Sequence, residues 1–254
     1  MNKKTIGWLI LGLVVLGAVG FAGYHIFQEN VIQSEKENKK ELNARLTDLY
    51  EDQTSGYFKA DISAEAFNEL ADEVKSQSGE SQTLEDIDQA KKNFKLQAEM
   101  NKLFEKDVLN GLDLSAHPVL KAPSEEDIKA LKAELEESSA KDKEWGQDIS
   151  MILGIAETQS KDFTNADAEV TNLVNKGTSL TLTDYLEGVK TLAILPDGKF
   201  KEKLLEKLSP VKDQLTNENA GFAAKIQQSD TSMAAAERAI KSGRRKSWLL
   251  ATRN

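Results

Sequence analysis

An all-α fold, with one transmembrane helix ahead of an elongated helical bundle, is predicted for this chain by three observations. Apolar residues recur at three-and-four spacing between Ser, Thr or Asn cap motifs. The only four prolines, Pro118, Pro123, Pro196 and Pro210, all fall between these patterns, and the patterns themselves are filled with Ala, Leu, Glu, Lys and Gln. A run of twenty-two residues from Ile6 to Phe27 contains no Asp, Glu, Lys or Arg.

That run follows Lys3 and Lys4, and at ~1.5 Å rise per residue it spans the ~30 Å hydrocarbon core of a bilayer. Ala18-Val19-Gly20 offers a cleavage motif, but Phe21 to Phe27 prolong the apolar stretch beyond it, so the segment reads as an uncleaved anchor. The short basic N-terminus is expected to stay cytoplasmic and send the remainder outward. The Lys/Arg bias is weak, however, because Lys36, Lys39, Lys40 and Arg45 follow the run, interspersed with Glu29, Glu35, Glu37 and Glu41. The reverse topology therefore stays open.

Residues 1–5 form the expected cytoplasmic end and 6–27 the anchor, with a helical stalk over 28–41. Leu42, Leu46, Leu49 and Tyr50 mark the first buried stripe, which Thr54-Ser55-Gly56 ends; a second helix carries Phe67, Leu70 and Val74. Thr83-Leu84-Glu85-Asp86 opens a third helix, and Asn110-Gly111 stops it. Residues 112–123, containing His117-Pro118, form a crossover that is long for a helical hairpin.

From Ser124 to Lys161 the spacing predicts the longest helix of the chain, about ten turns, with Ile128, Leu131, Leu135, Trp145, Ile149 and Ile152 on its packed face. Ser138 and Asp142 interrupt that face. The gap is the expected boundary between two subdomains, 42–138 and 139–242, sharing this central helix. Thr164-Asn165-Ala166-Asp167 and Thr181-Leu182-Thr183-Asp184 are expected to open two shorter helices. Pro196-Asp197-Gly198 reads as a turn, and Ser209-Pro210 as the start of a last long helix ending at Ser242-Gly243.

The formal charge of -9 conceals a gradient, with 41 acids against 25 bases between residues 28 and 236, and six bases against one acid from residue 237 on. An acidic body repels polyanions, so nucleic acid is not an expected partner. The absence of cysteine excludes disulfides, thiolate nucleophiles and Cys-based metal sites; it suits an exported protein of a Gram-positive cell, but a cytosolic protein can equally lack cysteine, so this count does not decide the compartment.

Neither histidine has the neighbours that catalysis or metal binding requires: His25 lies at the outer end of the apolar run and His117 in the crossover. The carboxylate pairs Glu125-Glu126, Glu136-Glu137 and Asp86-Asp88 read as helix-start or solvated acids. No phosphate loop, nucleophile elbow or zinc helix motif occurs, so no catalytic, cofactor-binding or metal residue is expected.

The sharpest candidate contact is the basic tail 243–254, where Arg244, Arg245 and Lys246 precede Trp248. Cations beside an aromatic suit teichoic acid phosphates or anionic lipid, with Trp248 at an interface or stacked on a sugar. A last helical turn with Trp248 and Leu249 packed on the bundle explains the same residues.

Leu42 to Tyr50, then Met100 to Gly111 with Leu103-Phe104 and Val108-Leu109-Asn110-Gly111, then the crossover into Ser124 to Leu135, together resemble the first extracellular domain of the MapZ family of streptococci and relatives. The likeness covers about residues 40 to 160. It implies a single-pass, non-enzymatic scaffold whose extracellular helices attach to peptidoglycan and mark the division site. Only five residues precede the apolar run, so the cytoplasmic arm through which that family guides the FtsZ ring is expected to be missing. The expected partners are the membrane, peptidoglycan or teichoic acid, and division proteins. An EzrA-like cytoplasmic adaptor and a wall-modifying enzyme are the alternatives, the latter requiring carboxylates converging in a cleft.

Overall fold

A computed structural model describes residues 37–60, 62–76, 81–218 and 225–228. The expected anchor and stalk start lie outside these residues, and among the described residues no helix is long and apolar enough to cross a membrane. The described chain is mostly helical with a few short strands, in agreement with the all-α expectation. It divides into two compact units, one made of 37–50 and 65–88 and the other of 51–64 and 89 onward.

In the first unit, α1 (37–48) buries only Leu42 and Leu46, one turn apart. Helix α2 (Ala64–Ser76) buries Phe67, Leu70 and Val74 at the spacing the sequence foretold. The start of α3 (Ser81–Lys102) adds Ile87, and an Arg45–Glu73 ion pair ties α1 to α2.

Thr54-Ser55-Gly56 does not end a helix. It is the turn between β1 (Tyr50–Asp52) and β2 (Tyr57–Phe58). Asp52 Oδ1 accepts from Thr54 N at 2.9 Å and Asp52 Oδ2 from the Ser55 hydroxyl at 2.7 Å, while Gly56 takes φ +89°, open to glycine without a Cβ clash.

In the second unit the expected crossover is a pair of nested hairpins. The inner one pairs β3 (Leu109–Asn110) with β4 (Asp113–Leu114) across Gly111-Leu112. The outer one bridges Phe104 to Leu120, with Glu105 N donating to Val119 O and Lys121 N to Leu103 O, both at 2.9 Å. Helix periodicity carries no signal for such two-residue strands.

The expected continuous helix from Ser124 to Lys161 is two helices, α4 (Glu125–Glu137) and α5 (Glu144–Lys176). Ser138 breaks it: its backbone is extended at ψ 135°, its hydroxyl donates to Asn93 Oδ1 at 2.7 Å, and it accepts from Ala140 N at 3.0 Å. The following turn folds onto Gly146, where any Cβ would collide with the carbonyl oxygens of Ala140 and Lys141. Trp145, fully buried, sits edge-on to Phe58, their ring centres 6.3 Å apart.

Helix α5 also runs through the start expected at Thr164. That hydroxyl donates to Ser160 O within the helix at 2.9 Å, and Phe163, Ala166, Val170 and Leu173 continue the buried stripe. Gly177 ends α5 at φ +52°, and a short 3-10 turn, Gly177–Ser179, follows. Helix α6 (Leu182–Ala193) starts where expected: Thr181 accepts from Asp184 N while the Asp184 carboxylate accepts from Thr181 N, a reciprocal capping box.

Helix α7 (Lys199–Glu218) passes through Pro210 instead of beginning there. The pyrrolidine removes one backbone donor, but Leu204, Leu208, Val211 and Leu215 stay buried on one face across the site, and their packing outweighs the lost bond. Phe163 of α5 stacks on Phe200 of α7 with ring centres 4.5 Å apart.

Candidate functional site

The tail residues Arg244, Arg245, Lys246 and Trp248 lie outside the described residues, as does His25. His117 is exposed between the strands of the outer hairpin, and no group of acids and histidines capable of holding a metal occurs among the described residues. The acid pairs are not brought together: Glu125 and Glu126 are exposed in the first turn of α4, and Glu136 and Glu137 in its last.

The most developed polar constellation is one the sequence did not announce. Gln89, Asn93, Gln97 and Asn101 recur every fourth residue of α3, drifting only ~40° per step, so they form a seam of amides on one face. Asn93, Gln97 and Asn101 reach beyond the helix, to Ser138, Trp145 and the inner hairpin. Asn93 receives the Ser138 hydroxyl and, at 3.3 Å, Gln89 Nε2. Gln97 Oε1 accepts from the Trp145 indole at 2.8 Å, and its Nε2 donates to Leu109 O at 3.3 Å.

Asn101 closes the seam at the inner hairpin. Its Oδ1 accepts from Val108 N at 2.9 Å and Leu109 N at 3.1 Å, and its Nδ2 donates to Leu109 O at 2.8 Å. From α5, Gln159 holds the outer hairpin likewise, accepting from Leu120 N and donating to Pro118 O, both at 2.8 Å. Ser160 accepts from Ser124 N at 3.0 Å. No buried side-chain nitrogen or oxygen among the described residues lacks a partner. Asn and Gln on a charged helix pass for surface; their four-residue period beside buried Leu96 and Met100 was the available signal.

An open groove of about 450 Å³ lies where Glu99, Lys102, Lys121, Ser124 and Asp127 surround Leu131. Lys102 pairs with Glu99 at 2.8 Å, and Lys121 Nζ donates to Lys102 O at 2.9 Å. The cations are thus engaged within the groove, which offers mixed charge around a small apolar floor.

Perturbed acids lie elsewhere and have structural causes. The Lys132 ammonium, then Lys161, hold the Glu157 carboxyl down at about 2. Lys176 foremost, aided by Thr181, does the same for Asp184, also about 2. Burial, reinforced by Asp86, lifts the Tyr50 phenol to about 12. Burial also raises Tyr57, whose hydroxyl donates to Asp148 Oδ2 at 2.7 Å.

These features describe a mostly helical protein whose buried polar groups bind its own hairpins and turns. Comparison with known proteins finds no family model, no curated protein and no solved structure that matches the chain.

Proposed function

We propose that the chain is a non-enzymatic, membrane-anchored helical scaffold, MapZ-like, with its C-terminal region outside the cell. It works by binding wall polymer or a division or envelope partner. The observation that carries this reading is the uncharged run Ile6–Phe27 ahead of helical units. The amide seam supports it, since polar side chains in the interior hold the fold and leave recognition to the surface. In this reading Arg244, Arg245 and Lys246 meet phosphate groups of teichoic acid or lipid while Trp248 enters the interface.

The weak Lys/Arg bias across the run favours one other reading, an EzrA-like cytoplasmic adaptor. A fluorescent reporter that matures on both sides of the membrane, fused to the C-terminus, separates the two. Septal signal removed by external protease is the expected result. A protected signal refutes the outside topology, and an accessible but evenly spread signal refutes the division-site role.

A further inference from the structure

Asn110 is the only asparagine in the sequence followed by glycine. It is exposed at the end of β3, and Gly111, at φ +59°, occupies the first position of a two-residue hairpin turn. Every other asparagine that has a successor precedes a residue whose Cβ crowds the next backbone nitrogen, and Asn93, Asn101, Asn165, Asn172 and Asn175 sit in helices where that nitrogen is held in the backbone ladder.

We propose that Asn110 is a self-modification site at which this chain deamidates. Gly111 itself is buried between exposed Asn110 and Leu112, so the step begins when the turn opens locally: the Gly111 backbone nitrogen loses its proton to solvent base and bonds to Asn110 Cγ. The Cγ–Nδ2 bond breaks, and the amide leaves as ammonia. Water then opens the five-membered imide at either carbonyl, giving aspartate or isoaspartate and restoring the amide. Nothing is oxidised or reduced, and the net reaction consumes one water and releases one ammonia.

The site is placed where the product matters. Aspartate puts a carboxylate across from its register partner, Asp113, and like charges directly opposed destabilise a strand pair. Isoaspartate adds an atom to the main chain and shifts the Leu109–Leu114 register. Leu109 is the residue whose carbonyl Gln97 and Asn101 hold, so the strain passes to the seam and to Trp145.

The test uses the full chain in detergent, incubated at mildly alkaline pH and digested with trypsin. The peptide from Asp107 to Lys121 contains one asparagine, so a mass gain of amide-to-acid exchange locates the event. The expected result is that this peptide converts an order of magnitude faster than any other Asn-containing peptide, with isoaspartate in excess over aspartate. Asn110→Gln, which must close a larger ring, abolishes the conversion and keeps the hairpin. A folded chain whose peptide stays unchanged overturns the proposal; conversion only after unfolding in urea would show that the hairpin protects Asn110, and overturns it equally.

Discussion

Replacing Asn101 with Ala removes three of the four side-chain hydrogen bonds described above between α3 and the inner hairpin. Two buried backbone donors, Val108 N and Leu109 N, lose their acceptor, and Leu109 O keeps only the longer bond from Gln97. Val108 and Leu109 are at most 1% exposed, so water does not reach them without opening the hairpin. At ~0.5–1.5 kcal/mol for each bond lost, the local cost is about 2–4 kcal/mol. With ~1.4 kcal/mol per tenfold, amide exchange in the peptide from Asp107 to Lys121 accelerates roughly thirty- to a thousandfold. Asn101→Asp keeps an acceptor for both donors and forfeits only the bond to Leu109 O, so its acceleration is smaller. Hydrogen exchange read by mass spectrometry on the full chain in detergent decides the matter. Equal exchange in Asn101→Ala and the parent would show that the seam does not hold the hairpin.

Thr181→Ala removes one side of the capping box at the start of α6 and costs about 1 kcal/mol; faster exchange confined to the first turn of α6 is the expected signature. Acidification weakens the fold through Glu157 and Asp184. Their folded-state values are depressed to about 2, so their stabilisation is complete above the ordinary carboxylate range and disappears as pH falls through that range toward 2. Thermal melts of the parent and Lys132→Gln should therefore differ at neutral pH and converge near about pH 2. Alkali acts through Tyr50 in the opposite direction: its phenol, raised to about 12, holds its proton longer when folded, so stability declines once pH passes about 10. Tyr50→Phe should remove that part of the alkaline decline.

The helical class, the α2 stripe and the α6 cap were legible because each is written in local spacing: Phe67, Leu70 and Val74 fall one turn apart, and Thr181 and Asp184 lie three residues apart. The breaks were not. Ser138 ends α4 because Asn93, forty-five residues away in sequence, takes its hydroxyl. Thr164 carries the pattern of a cap yet lies mid-helix, because its hydroxyl is satisfied four residues back and apolar residues continue on both sides. Pro210 reads as a helix start from its own chemistry, whereas the buried leucines before and after it carry α7 through. The amide seam was hidden for a related reason: an asparagine looks the same in sequence whether it faces water or a strand.

Helix α5, 33 residues and about 50 Å long, touches α4 over its first half through the Lys132–Glu157 pair and the Ser124–Ser160 bond. Over its second half it meets α6 and α7 through Glu169 with Thr191, Asp167 with Lys207, and Phe163 with Phe200. No proline interrupts it. A closely packed rod without a joint acts as a lever: a pull that tilts α6 and α7 drags the base of α4 with it, so tension at one end of this unit is felt as displacement at the other.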